Sequence, residues 1–274
     1  MHYTPHPEQA RRMTTGELRA GFLLEEIFRP GETVLHFVDL DRAVIGGVMP
    51  VADAITLDAP EAMAAEFFCE RRELGILNVG GAGSVTVDGE THALRNRDGL
   101  YVGRGSRSIE LRSDQADAPA KFYLVSYPAH AEYPTTLVRL EDAETVELGS
   151  AAEANRRTLR RYFHLNGVKT GQLVMGFTEM MEGSVWNTMP AHTHTRRTEV
   201  YLYFDVPQEA VVFHLMGEPA ETRNVVVRDG QVVLSPAWSI HSGCGTRAYS
   251  FCWAMGGENQ VFADMQAVAM GDLR

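Results

Sequence analysis

The chain has 274 residues, 45% of them hydrophobic, and carries 36 acidic side chains against 25 Lys and Arg, a formal charge of -11. That length fits one large domain or two of about 100–150 residues, each with its own core. The negative balance excludes nucleic acid or an anionic membrane as the main partner, because those surfaces need a positive field, and leaves a small molecule as the expected one.

The first residues, Met1-His-Tyr-Thr-Pro-His6, lack the apolar stretch of a signal peptide, and no apolar run reaches the roughly 18–20 residues of a membrane span, so the cytoplasm is the expected location. Thr14-Thr-Gly-Glu17 has the spacing of a capping box ahead of apolar Leu18, Phe22 and Leu23 and predicts a short helix. A second short helix is expected over residues 60–68. Most of the remaining chain reads as strands rich in Val, Ile, Tyr and Phe between Gly, Asp-Gly and Pro turns, with Asp88-Gly89 marking a hairpin. Residues 141–161, polar and rich in Ala, Glu and Arg, interrupt the pattern and read as a connector. Cys69, Cys244 and Cys252 are too few and too irregularly spaced for a disulfide framework or a thiolate zinc knuckle.

Residues 90–110 align without gaps on residues 221–241, an offset of 241 − 110 = 131. The register matches Glu90-Thr91 with Glu221-Thr222, Arg97-Asp-Gly99 with Arg228-Asp-Gly230, Val102 with Val233, and Ser108-Ile109 with Ser239-Ile240. A repeat of this length in a strand-rich chain predicts two copies of one β-barrel. The expected organisation is an N-terminal segment at 1–30, a first barrel at 31–135, a connector at 136–165 and a second barrel at 166–274. The copies differ where chemistry would sit, since the first has Glu110 where the second has His241.

His192-Thr-His194 places two imidazoles on one face of an extended strand. Such a pair alone is more often a half-buried or hydrogen-bonded pair than a metal site. Glu199 has the wrong parity for that face, so Thr195-Arg-Arg-Thr198 must contain a turn or bulge, after which an inward Glu199 brings Tyr201 and Tyr203 to the same side.

The spacings His192-x-His194-(x4)-Glu199 and Gly230-(x5)-Pro236-x-Trp238-(x2)-His241 resemble the two motifs of the cupin superfamily, with Trp238 and Trp186 standing where glycines are usual. The resemblance implies an all-β bicupin of two double-stranded β-helix (jelly-roll) barrels, a metal held by His192, His194, Glu199 and His241, and no ligands in the first barrel. Trp186-Asn-Thr-Met-Pro-Ala-His-Thr-His194, Ser235-Pro-Ala-Trp-Ser-Ile-His-Ser-Gly243, Gly257-Glu-Asn-Gln-Val-Phe262 and the end Asp272-Leu-Arg274 are similar to the 5-dehydro-4-deoxy-D-glucuronate isomerase family. Gly46-Gly-Val-Met-Pro50, Glu70-Arg-Arg-Glu-Leu-Gly75 and Asn78-Val-Gly-Gly-Ala-Gly83 carry the likeness through the N-terminal half. It implies a zinc-dependent aldose–ketose isomerase of pectin breakdown, a keto-deoxyuronate substrate and a homohexamer.

The chemistry is consistent with that resemblance. Moving a hydrogen between adjacent carbons while a carbonyl and a hydroxyl trade places develops charge on two oxygens, which a bound dication stabilises. An acidic protein must also gather an anionic substrate. Arg196, Arg197 and Arg161 are the candidates for its carboxylate, although a lone arginine is by default a solvated or ion-paired residue. The family commonly has Lys at position 161. Glu258, Tyr201 and Tyr203 are the candidate proton-transfer groups, with His130 a further one, and they favour an enediolate route over a direct hydride shift. Three other readings use the same ligands: a 5-deoxyglucuronate isomerase, a ferrous cupin dioxygenase, and a non-catalytic sugar-acid-binding cupin, for which no basic or helix-turn-helix segment speaks.

Overall fold

The computed structural model describes residues 1–274, almost entirely as antiparallel β-sheet with two short helices and four short 3-10 turns. No helix is long and apolar enough to cross a membrane. The chain divides into two compact units. One contains Met1, Ile27–Ala143 and Tyr162–Val174; the other contains His2–Glu26, Glu144–Arg161 and Met175–Arg274.

In the first unit a six-stranded sheet runs in the order Thr136–Val138, Gly99–Val102, Arg72–Asn78, Phe122–Pro128, Val44–Val48, Thr33–Phe37. A four-stranded sheet runs Ile55–Thr56, Ile109–Ser113, Gly83–Val87, Glu90–Leu94. Alternate residues of both sheets, among them Ile76, Val85, Leu100, Leu111, Phe122 and Leu124, form one apolar core, each fully buried side chain contributing roughly 1.5–3 kcal/mol. The hairpin at Asp88-Gly89 forms as expected, with both residues at positive φ (49° and 88°), the geometry of a type I′ turn that matches strand twist. The helix expected over 60–68 is only the turn Glu61–Met63: Ala64 is left-handed at φ 49°, and beyond it Glu70 accepts from the Glu66 amide at 2.7 Å. Glu110 is exposed on a strand whose alternation sends Ile109 and Leu111 inward. It therefore does not fill the first barrel, although the repeat aligns it with His241.

The second unit holds a seven-stranded sheet in the order Leu23–Leu24, Val232–Ser235, Arg197–Phe204, Ser250–Gly257, Val174–Met180, Arg157–Phe163, Glu144–Leu148. Trp186–Asn187, Ser242–Gly245, Val212–Glu218 and Glu221–Val227 make a four-stranded sheet, and His192–Thr193 pairs with Gln266–Ala267. The capping box at Thr14 forms with both bonds, and its helix Thr15–Phe22 delivers Phe22 edge-on to Trp238 at 6.1 Å. Trp238, a departure from the cupin glycine, thus packs under the N-terminal helix. Within the polar stretch expected as a connector, Glu144–Leu148 and Arg157–Phe163 pair as strands. Its charges belong to the rim of a sheet: Arg161 meets Glu144 at 2.8 Å, Arg160 meets Glu179 at 3.0 Å, and Thr158 donates to Glu147 at 2.7 Å.

Candidate metal centre

The site is organised by the strand Arg197–Phe204, buried at every position because it has sheet neighbours on both edges and packed side chains on both faces. Its period of two sends Glu199, Tyr201 and Tyr203 to one side. His192 lies on the short strand His192–Thr193 before it and His194 directly follows that strand, and the turn at Thr195-Arg196 corrects the parity of Glu199, pinned by Gln266, which accepts from the Thr195 amide and hydroxyl at 2.8 Å each. His241 follows a tight turn at Pro236, where the Ser239 amide donates to the Pro236 carbonyl at 2.9 Å.

Four ligand atoms converge, all within 4.8 Å of one another. His192 Nε2 lies 3.2 Å from His194 Nε2 and 3.0 Å from His241 Nε2; Glu199 Oε2 lies 3.2 Å from His194 Nε2 and 3.0 Å from His241 Nε2. Three imidazole nitrogens and a carboxylate oxygen gathered this closely present the lone pairs that a divalent cation takes as ligands. His194 donates from Nδ1 to the Asp264 carbonyl at 2.7 Å, which turns the lone pair of its Nε2 toward the cluster. Burial, then the charge of His241, pushes His192 down to about 3, so it adds no proton near neutrality. Burial alone would raise the Glu199 carboxyl, but His241 and His194 hold it well below the usual carboxylate range. The spacings match neighbouring ligands on one ion, since groups 2.0–2.2 Å from a common centre lie roughly 3.0–3.4 Å apart. His192, His194, Glu199 and His241 could bind a metal ion.

His192, His194 and Glu199 of the cluster form one wall of a cavity of about 270 Å³. Leu159, Phe251, Trp253, Met255 and Phe262 make much of the lining apolar, and Thr178, Thr188, Tyr201 and Arg157 supply polar groups. The Tyr201 hydroxyl is 3.4 Å from that of Thr188; burial and the Glu199 charge raise its pKa, so it stays protonated near neutrality. Tyr203 does not line the cavity: its hydroxyl is engaged at 2.7 Å by Nδ1 of His214, a buried imidazole that burial pushes down to about 3. Gly243 is required beside this layer, because a Cβ there would stand 2.7 Å from Asn187 Nδ2 and 3.0 Å from the Tyr203 hydroxyl.

The remaining sequence candidates go elsewhere. Glu258 and Arg196 are both exposed and form an ion pair with each other; neither lines the cavity. Arg197 is 1% exposed and lies behind His194, where its Nη2 donates at 2.9 Å to the Asp264 carbonyl that His194 also uses. Arg161 spans Glu144 and the ring of Phe262, 4.5 Å from the ring centre. His130 is exposed and belongs to the first unit. Cys244 and Cys252 are free thiols whose pKa values burial raises, which disfavours the thiolate. Sequence reasoning passed over Arg157, Thr188 and the aromatic lining. Arg157 had one visible signal: on a strand it shares a face with Leu159 and Arg161.

Residues 25–270 match the family described as KduI/IolB. The chain is 54% identical over 275 residues to a 4-deoxy-L-threo-5-hexosulose-uronate ketol-isomerase of Kineococcus radiotolerans and 49% identical over 272 residues to one of Halalkalibacterium halodurans, each alignment covering 99% of both chains. Among solved structures it is similar to an iolB-like protein from Salmonella typhimurium LT2, with a TM-score of 0.75 at 14% identity over 90% of this chain and 96% of that one. It also resembles a Bacillus subtilis oxalate decarboxylase with Mn(II) centres, with a TM-score of 0.58 at 10% identity over 82% and 71% of the two chains. At such identities these two likenesses speak for the fold alone.

Proposed function

The chain belongs to the KduI/IolB family and is an isomerase, and on that footing we propose that it is a zinc-dependent aldose–ketose isomerase. Its substrate is 5-dehydro-4-deoxy-D-glucuronate, the hexosulose uronate named in its relatives, and its product 3-deoxy-D-glycero-2,5-hexodiulosonate, a step of pectin and uronate breakdown. The observation that carries the reading is the convergence of three imidazole nitrogens and one carboxylate, with His192, His194 and Glu199 of that cluster lining a cavity of about 270 Å³. Full-length relatives with the same printed activity support the substrate. A homohexamer, with the first repeat as a structural copy without metal ligands, completes the proposal.

His192, His194, Glu199 and His241 would hold the ion, three neutral imidazoles and one carboxylate giving a dication a net charge of +1. Bound there, a divalent metal supplies Lewis-acid polarisation of a carbonyl and the hydroxyl beside it. The chain's own groups do the rest. The apolar lining excludes water and strengthens the electrostatics inside. Tyr201, protonated, donates a hydrogen bond or proton to an oxygen where negative charge develops. Thr188 orients that hydroxyl.

The enediolate route expected from Glu258 lacks its base, because Glu258 stands outside the cavity and the only carboxylate of the lining is Glu199. That favours passage of the hydrogen between the two carbons without exchange with solvent. The test is incubation of the metal-loaded protein with unsaturated galacturonate lyase products in H2O and in D2O, followed by NMR. Conversion to the diulosonate without deuterium on the receiving carbon supports both parts. Conversion with deuterium returns the enediolate, and no conversion at full metal occupancy overturns the isomerase. Metal analysis and oxygen uptake of the same sample separate zinc from a ferrous dioxygenase.

A further inference from the structure

Resting on the reading of this cavity as a uronate site, we propose that Arg157 receives the substrate's carboxylate and sets the preference for an acid sugar over a neutral one. Arg157 is the one Lys or Arg side chain that lines the cavity. The neighbouring arginines are already committed, Arg160 to Glu179, Arg161 to Glu144 and Arg196 to Glu258. Arg157 has no such partner. Its guanidinium makes a single hydrogen bond, from Nη1 to the Asn155 carbonyl at 2.8 Å. Glu153, the carboxylate whose charge reaches it, is exposed and accepts from the Ser150 hydroxyl at 3.3 Å.

A guanidinium has five N–H donors, so most of this fork remains for a planar anion. Desolvation lowers the Arg157 pKa, and the charge of exposed Glu153 offsets only part of that cost. A substrate carboxylate docked between Leu159 and Tyr201, which line the same cavity, would offset it in surroundings that strengthen the pairing. It would also hold the other end of the sugar acid toward the metal ligands, and a neutral sugar would leave the guanidinium uncompensated.

The test compares the metal-loaded wild type with Arg157→Gln and Arg157→Lys. Steady-state kinetics are measured on the uronate, and calorimetric titrations with D-galacturonate and D-galactose read the preference for the acid without turnover. KM should rise roughly 10–100-fold in Arg157→Gln with kcat falling less than KM rises, as expected for loss of a charge-assisted bond made equally in ground and transition states. Arg157→Lys should lie between, because it keeps the charge and loses the fork. The wild type should bind galacturonate more tightly than galactose, and Arg157→Gln should level the two. An Arg157→Gln protein with wild-type KM and undiminished preference for the acid overturns the proposal, as does one that has lost its metal. Failure of the wild type to convert the uronate would sink the isomerase reading alone, and the titrations would still decide the role of Arg157.

Discussion

Arg197→Met distinguishes an arginine that touches substrate from one that steadies a ligand. The side chain is 1% exposed, and its Nη2 shares the Asp264 carbonyl with Nδ1 of His194, at 2.9 and 2.7 Å. Two electrostatic effects oppose each other on substitution. Removing a buried cation near the cluster favours a dication, so simple charge counting predicts tighter metal binding. Removing the donor that fixes the Asp264 carbonyl loosens the partner of His194, and losses of that kind typically cost 10–100-fold in metal affinity, about 1.4–2.8 kcal/mol. The charge effect is the smaller here, because a net affinity gain would require His194 to keep its orientation with half of its anchor gone. Stability should fall by about 1–3 kcal/mol: the bond to the Asp264 carbonyl and the weaker one to Met255 Sδ are lost, partly offset because a buried Nε with no hydrogen-bond partner goes with them. Competition with a chromophoric chelator reads the affinity, and urea unfolding the stability. Unchanged metal affinity together with a raised KM for the uronate would refute the reasoning and put Arg197 in contact with substrate.

The exposed pair of Arg196 and Glu258 should be dispensable, so Arg196→Ala and Glu258→Gln should each leave kcat within about twofold and KM unchanged; a tenfold loss of kcat in Glu258→Gln would restore it as a proton shuttle. His214 should make the chelator-treated protein acid-sensitive. Its folded pKa of about 3 lies below the roughly 6.5 of an unfolded histidine, so the folded state binds fewer protons between those values, and stability is full above about pH 6.5 and lost as pH falls toward 3. At pH 5 the loss is about 2 kcal/mol, and His214→Gln should remove that part of the slope between pH 7 and pH 5 in denaturant titrations. Equal slopes would show that the imidazole titrates normally.

The parts of this molecule legible in its sequence are those fixed by local geometry. His192-x-His194, the turn before Glu199 and the turn from Pro236 to His241 bring the four side chains of the candidate metal centre together through backbone spacing over a few residues, and the capping box at Thr14 and the hairpin at Asp88-Gly89 are equally local. The arginines are different, because a guanidinium's job depends on which carboxylate lies nearest in space. Arg161, Arg196 and Arg197 looked available in one dimension, yet Glu144, Glu258 and the Asp264 carbonyl engage them. The polar stretch at 141–161 read as a connector for the same reason: its charges pair across strands, which composition does not reveal. The repeat suggested that Glu110 would stand inside its barrel as His241 does, but alternation along Ile109–Ser113 turns it outward.

The strand Leu23–Leu24 pairs with Val232 and Val233, partners 233 − 23 = 210 residues away. During synthesis the early segment must wait for nearly the whole chain before this pairing forms, and closing so long a loop carries an entropic cost that only a largely assembled sheet offsets. Until then the backbone donors and acceptors along that side of Val232–Ser235 stand open, a template on which another chain can add a strand. Leu23–Leu24 therefore serves as a latch that closes late. Shortening the first residues, or crowding them with a bulky fusion, should show first as aggregation during expression, before any loss of metal binding.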